Sequence, residues 1–106
     1  MPKKTTTDAV KILAHMAGRD PERQRQFEEE LINRDVASKI YQLRERAHLS
    51  QAQLAKRVGT TQSVISRLED ADYDGHSLAM LNRIAAAVHR RIEIRFVARK
   101  RPLQTA

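Results

Sequence analysis

The sequence predicts an all-α fold: a five-helix domain with an N-terminal helical extension and one C-terminal β-strand. Three observations lead there. Between residues 49 and 70, two short amphipathic runs meet at Gly59. Residues suited to capping stand just ahead of the apolar periods, at Asp20, Ser50, Thr61 and Ser77, where a side-chain oxygen can accept from an otherwise unpaired N–H of the first turn. Period-two alternation with β-branched residues appears at Ile92-Glu-Ile-Arg-Phe-Val, and it reads as a strand.

In chain order, residues 1–7 read as a disordered basic arm. A short amphipathic helix over residues 8–17 carries Val10, Ile12, Leu13 and Met16, and Gly18 ends it. Asp20-Pro21 starts a fresh helix, a cap followed by proline where the missing N–H costs nothing. Helical propensity then stays high through Arg46, with Phe27, Leu31, Val36, Ile40 and Leu43 at spacings of three to five. The favoured reading places a break near residues 33–35, separating an extension, residues 8–35, from a domain at 36–89; the other reading is one helix through residues 20–47. In that domain Ser50 and Gln53 form a capping box, Leu54, Ala55 and Val58 share one face, and Gly59 supplies the tight turn. Thr61 caps the next helix, which buries Ile65 and Leu68 and leaves Gln62, Ser63, Ser66 and Arg67 on the other side. A polar loop leads to a last helix that buries Leu78, Leu81, Ile84, Ala85 and Val88. Residues 90–97 form the strand and 98–106 a basic tail. A lone strand leaves its backbone groups unpaired, which invites a second copy of the chain; the other reading is an extension packed on its own helices. On the dimer reading, Ile92, Ile94 and Phe96 make the contact.

With 106 residues there is room for one modest core, built from aliphatic side chains because aromatic content is 4%. The chain has no cysteine, so disulfides, thiolate metal sites and thiol nucleophiles are excluded, and a cytoplasmic location fits. No apolar run approaches the ~20 residues of a membrane span, and no membrane partner is expected. The opening Met-Pro-Lys-Lys-Thr-Thr-Thr leads into no apolar stretch, so a secretory signal is not expected. Net charge is +7; residues 1–35 hold seven basic and seven acidic side chains, and residues 36–106 carry all the excess. A basic surface of this kind is either simply solvated or neutralises phosphates, and its coincidence with the two-helix motif favours nucleic acid.

The motif residues also carry a likeness. The run from Leu49 to Asp70 resembles the Xre/Cro class of helix-turn-helix regulators, and Val58-Gly-Thr-Thr-Gln looks like the corresponding turn of lambdoid phage repressors. The likeness covers roughly residues 36–88 and implies a lambda-repressor-like helix-turn-helix domain. Leu68-Glu-Asp-Ala-Asp-Tyr, Ser77-Leu-Ala-Met-Leu-Asn-Arg-Ile-Ala and Ile92-Glu-Ile-Arg-Phe are similar to small bacterial Xre proteins of the HigA-like antitoxin type. His48 stands where that family commonly has a helix-ending glycine, so it must either adopt a left-handed conformation or close the helix differently.

A helix fits the major groove, where base pairs present distinguishable donor and acceptor patterns. Gln62, in the first turn of the second motif helix, can grip adenine with its amide fork. Thr61, Ser63 and Ser66 are short adaptable partners. Arg67 reaches either guanine or a phosphate, and Val64 either a thymine methyl or the core. Gln51 resembles the family's phosphate-binding glutamine, with Lys56, Arg57, Tyr73 and His76 as weaker phosphate candidates. In the resembling repressors an arginine and a glutamate at positions matching Arg44 and Glu69 bridge the first helix to the end of the recognition helix; a buried Glu69 needs such a partner. His15, His48, His76 and His89 are scattered, with no metal-binding spacing, and no metal, cofactor or enzymatic activity is expected.

Three functions compete. One is a homodimeric repressor on a palindromic double-stranded DNA operator. The second adds a protein partner, as the resemblance implies: an autoregulating antitoxin that neutralises a ribonuclease toxin, which would dock on residues 8–35 through Phe27, Leu31 and Ile32 beside Glu28, Glu29 and Glu30. The third is a protein-binding adaptor, which the polar recognition face and the +7 charge oppose.

Overall fold

The computed structural model describes residues 20–98. The basic arm 1–7, the helix expected over residues 8–17 and the tail from residue 99 onward lie outside the described residues. Among those described there are four helices: α1 (Pro21–Arg46), α2 (Gln51–Val58), α3 (Gln62–Leu68) and α4 (Leu78–Ala87). Residues 30–95 form one compact unit. Of the other unit, residues 21–29 are the first turns of α1 and residues 96–98 carry no regular element.

The expected break near residues 33–35 is absent, and α1 is a single helix of 26 residues, about 39 Å long. Asn33 and Asp35 are only weakly unfavourable in a helix and Arg34 is a good helix former, and none removes a donor or clashes with the preceding turn as proline does. Asp35 also accepts from Lys39 Nζ at 3.0 Å one turn on, a small favourable pair on an exposed face. At the front of α1, Asp20 Oδ1 accepts from the Glu22 N–H at 3.0 Å. The fully buried members of α1 are confined to Ala37, Ile40 and Arg44.

α2 is set by its capping box: Gln53 N–H donates to Ser50 Oγ at 3.1 Å, and Ser50 N–H donates to Gln53 Oε1 at 2.8 Å. It ends at Gly59, whose φ of 86° favours glycine. Arg83 reaches from α4 to donate to the Val58 carbonyl at 2.9 Å, placing a cation at the negative end of α2. Thr61 and Ser77 cap α3 and α4 through the N–H groups of Val64 and Met80.

The core joins Ile40, Leu49, Leu54, Ala55, Val58, Ile65, Leu68 and Ile84. Leu54, Ile65 and Ile84 are the largest fully buried side chains, each contributing about 1.5–3 kcal/mol of burial. Leu81 and Val88 are half-buried. Leu78, expected inside, is 63% exposed: as the first residue of α4 it stands on the same side as Ala85 but beyond the end of the core, on an open groove it shares with Leu81.

The expected strand over residues 90–97 is not formed: residues 90–98 carry no regular element. A strand is stabilised by ladder bonds to a neighbour, and among the described residues no segment forms a strand for it to pair with.

His48 takes the left-handed conformation, φ 58°, and closes α1. Its N–H donates to the Glu45 carbonyl at 3.0 Å and the Leu49 N–H to that of Arg44 at 3.2 Å, the two bonds of a Schellman motif. His89, φ 60°, closes α4 in the same way through Ala86 and Ala85. A side chain at such a φ carries strain that glycine lacks. His48→Gly is expected to raise stability by about 0.5–1 kcal/mol after the extra chain entropy of glycine is subtracted, a rise of a few degrees in Tm. His48→Val is expected to lower it. Thermal melting of the two variants beside the parent checks both.

Candidate nucleic-acid interface

The turn between α2 and α3 spans only Gly59 to Thr61, so the left-handed glycine and the Thr61 cap together aim α3. Ile65 and Leu68 anchor its inner face in the core, and the 3.6-residue period puts Gln62, Ser63, Ser66 and Arg67 outside, all exposed. Thr61 is also exposed, with Oγ1 engaged as the cap. Val64 is half-buried against the core. Together with Gln51 and Asp70, the four outward residues of α3 line an open cleft of about 450 Å³. It offers amide, hydroxyl and guanidinium donors with one carboxylate at its edge.

Behind that cleft, Glu69 closes α3 with its side chain only 6% exposed. Arg44 of α1 meets it with two parallel bonds, Nε to Oε2 at 2.7 Å and Nη2 to Oε1 at 3.0 Å. This bidentate geometry is the strong form of a carboxylate–guanidinium pair. Arg44 Nη1 also donates to the Leu49 carbonyl at 2.9 Å, and its guanidinium lies 5.2 Å from the Tyr41 ring centroid. The Glu69 hydrogen bonds hold the Arg44 pKa above its ordinary value against the opposing effect of burial. Gln51 Nε2 donates to Glu69 Oε1 at 3.2 Å, a contact the sequence reading missed because 18 residues separate the partners.

The loop residues are differently employed. His76 Nε2–H donates to the Leu68 carbonyl at 2.7 Å, tying the end of α3 to the loop before α4. Tyr73 donates its hydroxyl to the Gly75 carbonyl at 3.2 Å and meets the His76 ring edge-on at 5.0 Å. Both side chains therefore hold the loop in place, while Nδ1 of His76 is buried with no hydrogen-bond partner. Lys56 and Arg57 are exposed in the last turn of α2. Asp70, absent from the sequence-based candidates, is the acidic member of the cleft; its Oδ1 accepts from the Asp72 N–H at 2.9 Å. Ile92, half-buried, and Ile94, 57% exposed, lie apart from the cleft on an apolar groove, and Phe96 is 99% exposed. Among the described residues no three His, Cys, Asp or Glu side chains gather to hold a metal ion, and no helix is long and apolar enough to cross a membrane.

Two short helices joined by a glycine turn, the second presenting a polar outer face, define a helix-turn-helix of the kind that binds DNA. Residues 36–90, more than half of the chain, match a family model described as a helix-turn-helix domain, and the chain belongs to that family. The match supports a DNA-binding regulator of broadly Xre type, a class typical of non-enzymatic proteins. No curated protein and no solved structure matches the chain.

Removing one partner of a buried ion pair strands the other charge, at a cost of about 3–5 kcal/mol. Arg44→Ala is expected to lower the unfolding free energy by about that amount, and the double variant Arg44→Met, Glu69→Leu to recover much of the loss. Denaturant unfolding of the three proteins checks this; an Arg44→Ala curve that overlays the parent removes the pair from the account.

Proposed function

We propose that this chain is a sequence-specific transcriptional repressor that binds a palindromic operator as a homodimer. The observation that carries the reading is the exposed set Gln62, Ser63, Ser66 and Arg67 on α3, with the core-facing residues of the same helix fixed behind it. Gln62 binds adenine through N6 and N7, Arg67 takes guanine or a neighbouring phosphate, and Thr61, Ser63 and Ser66 adapt to flanking positions. Gln51 contacts the phosphate backbone. In a two-fold dimer the two α3 helices lie about 34 Å apart, one turn of the duplex.

The dimer is supported by the apolar surface away from the cleft. Ile32, Val36, Leu43, Leu78, Leu81 and Ile94 are among the residues walling a groove of about 570 Å³. Ile92 also lines it, and Ile92, Ile94 and Phe96 alternate with charged residues in sequence, in a segment with no ladder partner among the described residues. Pairing of two such segments across a two-fold axis satisfies their backbone groups and covers Ile94 and Phe96.

A finer reading, in which the repressor is also the antitoxin of a ribonuclease toxin and represses its own operon, draws support from α1. The fully buried residues of α1 begin only at Ala37; ahead of it Val36 packs on the core, and Phe27 and Leu31 are half-buried. Glu29 and Glu30 are exposed there, and Ile32 is 61% exposed. Exposed acidic side chains, with an exposed isoleucine one turn on from Glu29, suit a basic protein surface. Co-purification with the product of an adjacent reading frame tests this part.

The DNA reading is tested by gel shift of the purified protein on its own promoter across a salt series. Specific binding is expected to weaken steeply with salt, the log–log slope reflecting each phosphate neutralised. Gln62→Ala is expected to cost about 5- to 150-fold in specific affinity and to leave non-specific affinity unchanged. Arg67→Ala is expected either to relax the sequence preference or to reduce the salt slope by about one. Absence of any specific complex at moderate salt contradicts the proposal.

A further inference from the structure

We infer that Glu69, locked by Arg44, is a positioning residue for Gln51: its carboxylate fixes the Gln51 carboxamide on the rim of the cleft, where that carboxamide meets a DNA phosphate in a preset orientation. The inference rests on the DNA-binding reading above and assigns to the ion pair a task beyond stability.

The carboxylate of Glu69 takes three donors from two helices, with Arg44 Nε and Nη2 from α1 and Gln51 Nε2 from α2. Arg44 alone already neutralises and hydrogen-bonds it in bidentate form, so the third donor is not needed to satisfy a buried charge. Gln51 instead gains a defined orientation. A carboxylate only accepts, so the amide nitrogen of Gln51 must face Glu69, and the two ends of the carboxamide are distinguished. One N–H is committed to Glu69, which leaves the second N–H to donate to an anion.

The placement fits that use. Gln51 is the first residue of α2, and it lines the same cleft as Gln62, Ser63, Ser66 and Arg67. The phosphate-facing group is thereby referenced to the end of the very helix that reads bases. An unheld glutamine would have to be ordered on each encounter, losing rotamer freedom that the Glu69 contact has already removed. A bare Glu69 carboxylate so close to the duplex would repel it; Arg44 cancels that charge, so the orienting group does not oppose binding.

The test uses the full ¹⁵N-labelled chain, the isosteric variants Gln51→Met and Glu69→Gln, and their double. In the free parent protein the Gln51 carboxamide protons are expected to be well separated and slow to exchange with solvent. In Glu69→Gln they are expected to collapse toward the positions of free glutamines at temperatures well below melting. With a duplex carrying the protein's own promoter, each single variant is expected to bind about 5- to 30-fold more weakly, and the double no more weakly than the worse single. A merely structural Glu69 would leave the two losses multiplicative. Multiplicative losses overturn the inference, as does a Gln51 carboxamide that is already free in the parent protein. A held carboxamide in a parent that does not bind the duplex overturns the DNA-binding reading, and with it the role of Gln51; the spectrum and the binding curve thus report the two failures separately.

Discussion

A carboxylate buried to 6% exposure is tolerated only beside a cation, and Glu69 ends α3 with such a group. Its position also opposes the helix dipole, since negative charge is disfavoured at a C-terminus. The bidentate bonds from Arg44 answer both costs at once. Because Arg44 simultaneously donates to the Leu49 carbonyl, the end of α1, the approach to α2 and the end of α3 are tied through one guanidinium. Three helices thus share a single electrostatic reference point. With a core of aliphatic side chains and few aromatics, that point restricts the rotation of a seven-residue helix that buries only Ile65 and Leu68.

The other long-range ties act at helix ends too. Arg83 holds the carboxyl end of α2 from α4, and His76 holds that of α3 from the loop that follows it. His48 and His89 close α1 and α4 in left-handed conformations that glycine would adopt more cheaply. The result segregates two surfaces. Polar groups of α3, with Gln51 and Asp70, gather on an open cleft, while aliphatic residues of α1, α4 and the C-terminal segment gather on a groove elsewhere. One surface suits a charged, hydrogen-bonding polymer and the other a protein.

What was legible in the sequence was mostly local chemistry. Capping by Ser50, Thr61 and Ser77 depends on contacts within three residues, and the left-handed turn on Gly59 alone, so both can be read without a fold. The outward face of α3 follows from period and needs only the identity of Ile65 and Leu68 as core. The continuity of α1 was not legible: three polar residues at 33–35 resemble a boundary, yet none is a helix breaker, and the cost of carrying them is small. Nor was the exposure of Leu78, since helical period does not say where a buried stripe stops. The segment 90–97 has strand composition, but a strand is a property of a pair. Within the candidate site, the partner of Gln51 lies 18 residues away, and only the fold brings it to Glu69.

We propose above that α3, referenced to Glu69, presents its polar face to DNA. Chemical-shift mapping of the ¹⁵N-labelled protein during titration with a promoter duplex tests it most directly. The largest perturbations are expected at Thr61, Gln62, Ser63, Ser66 and Arg67, with Gln51 moving alongside them and the residues of the apolar groove unchanged. Perturbations centred on Ile32, Leu78 and Ile94 with α3 undisturbed would contradict it.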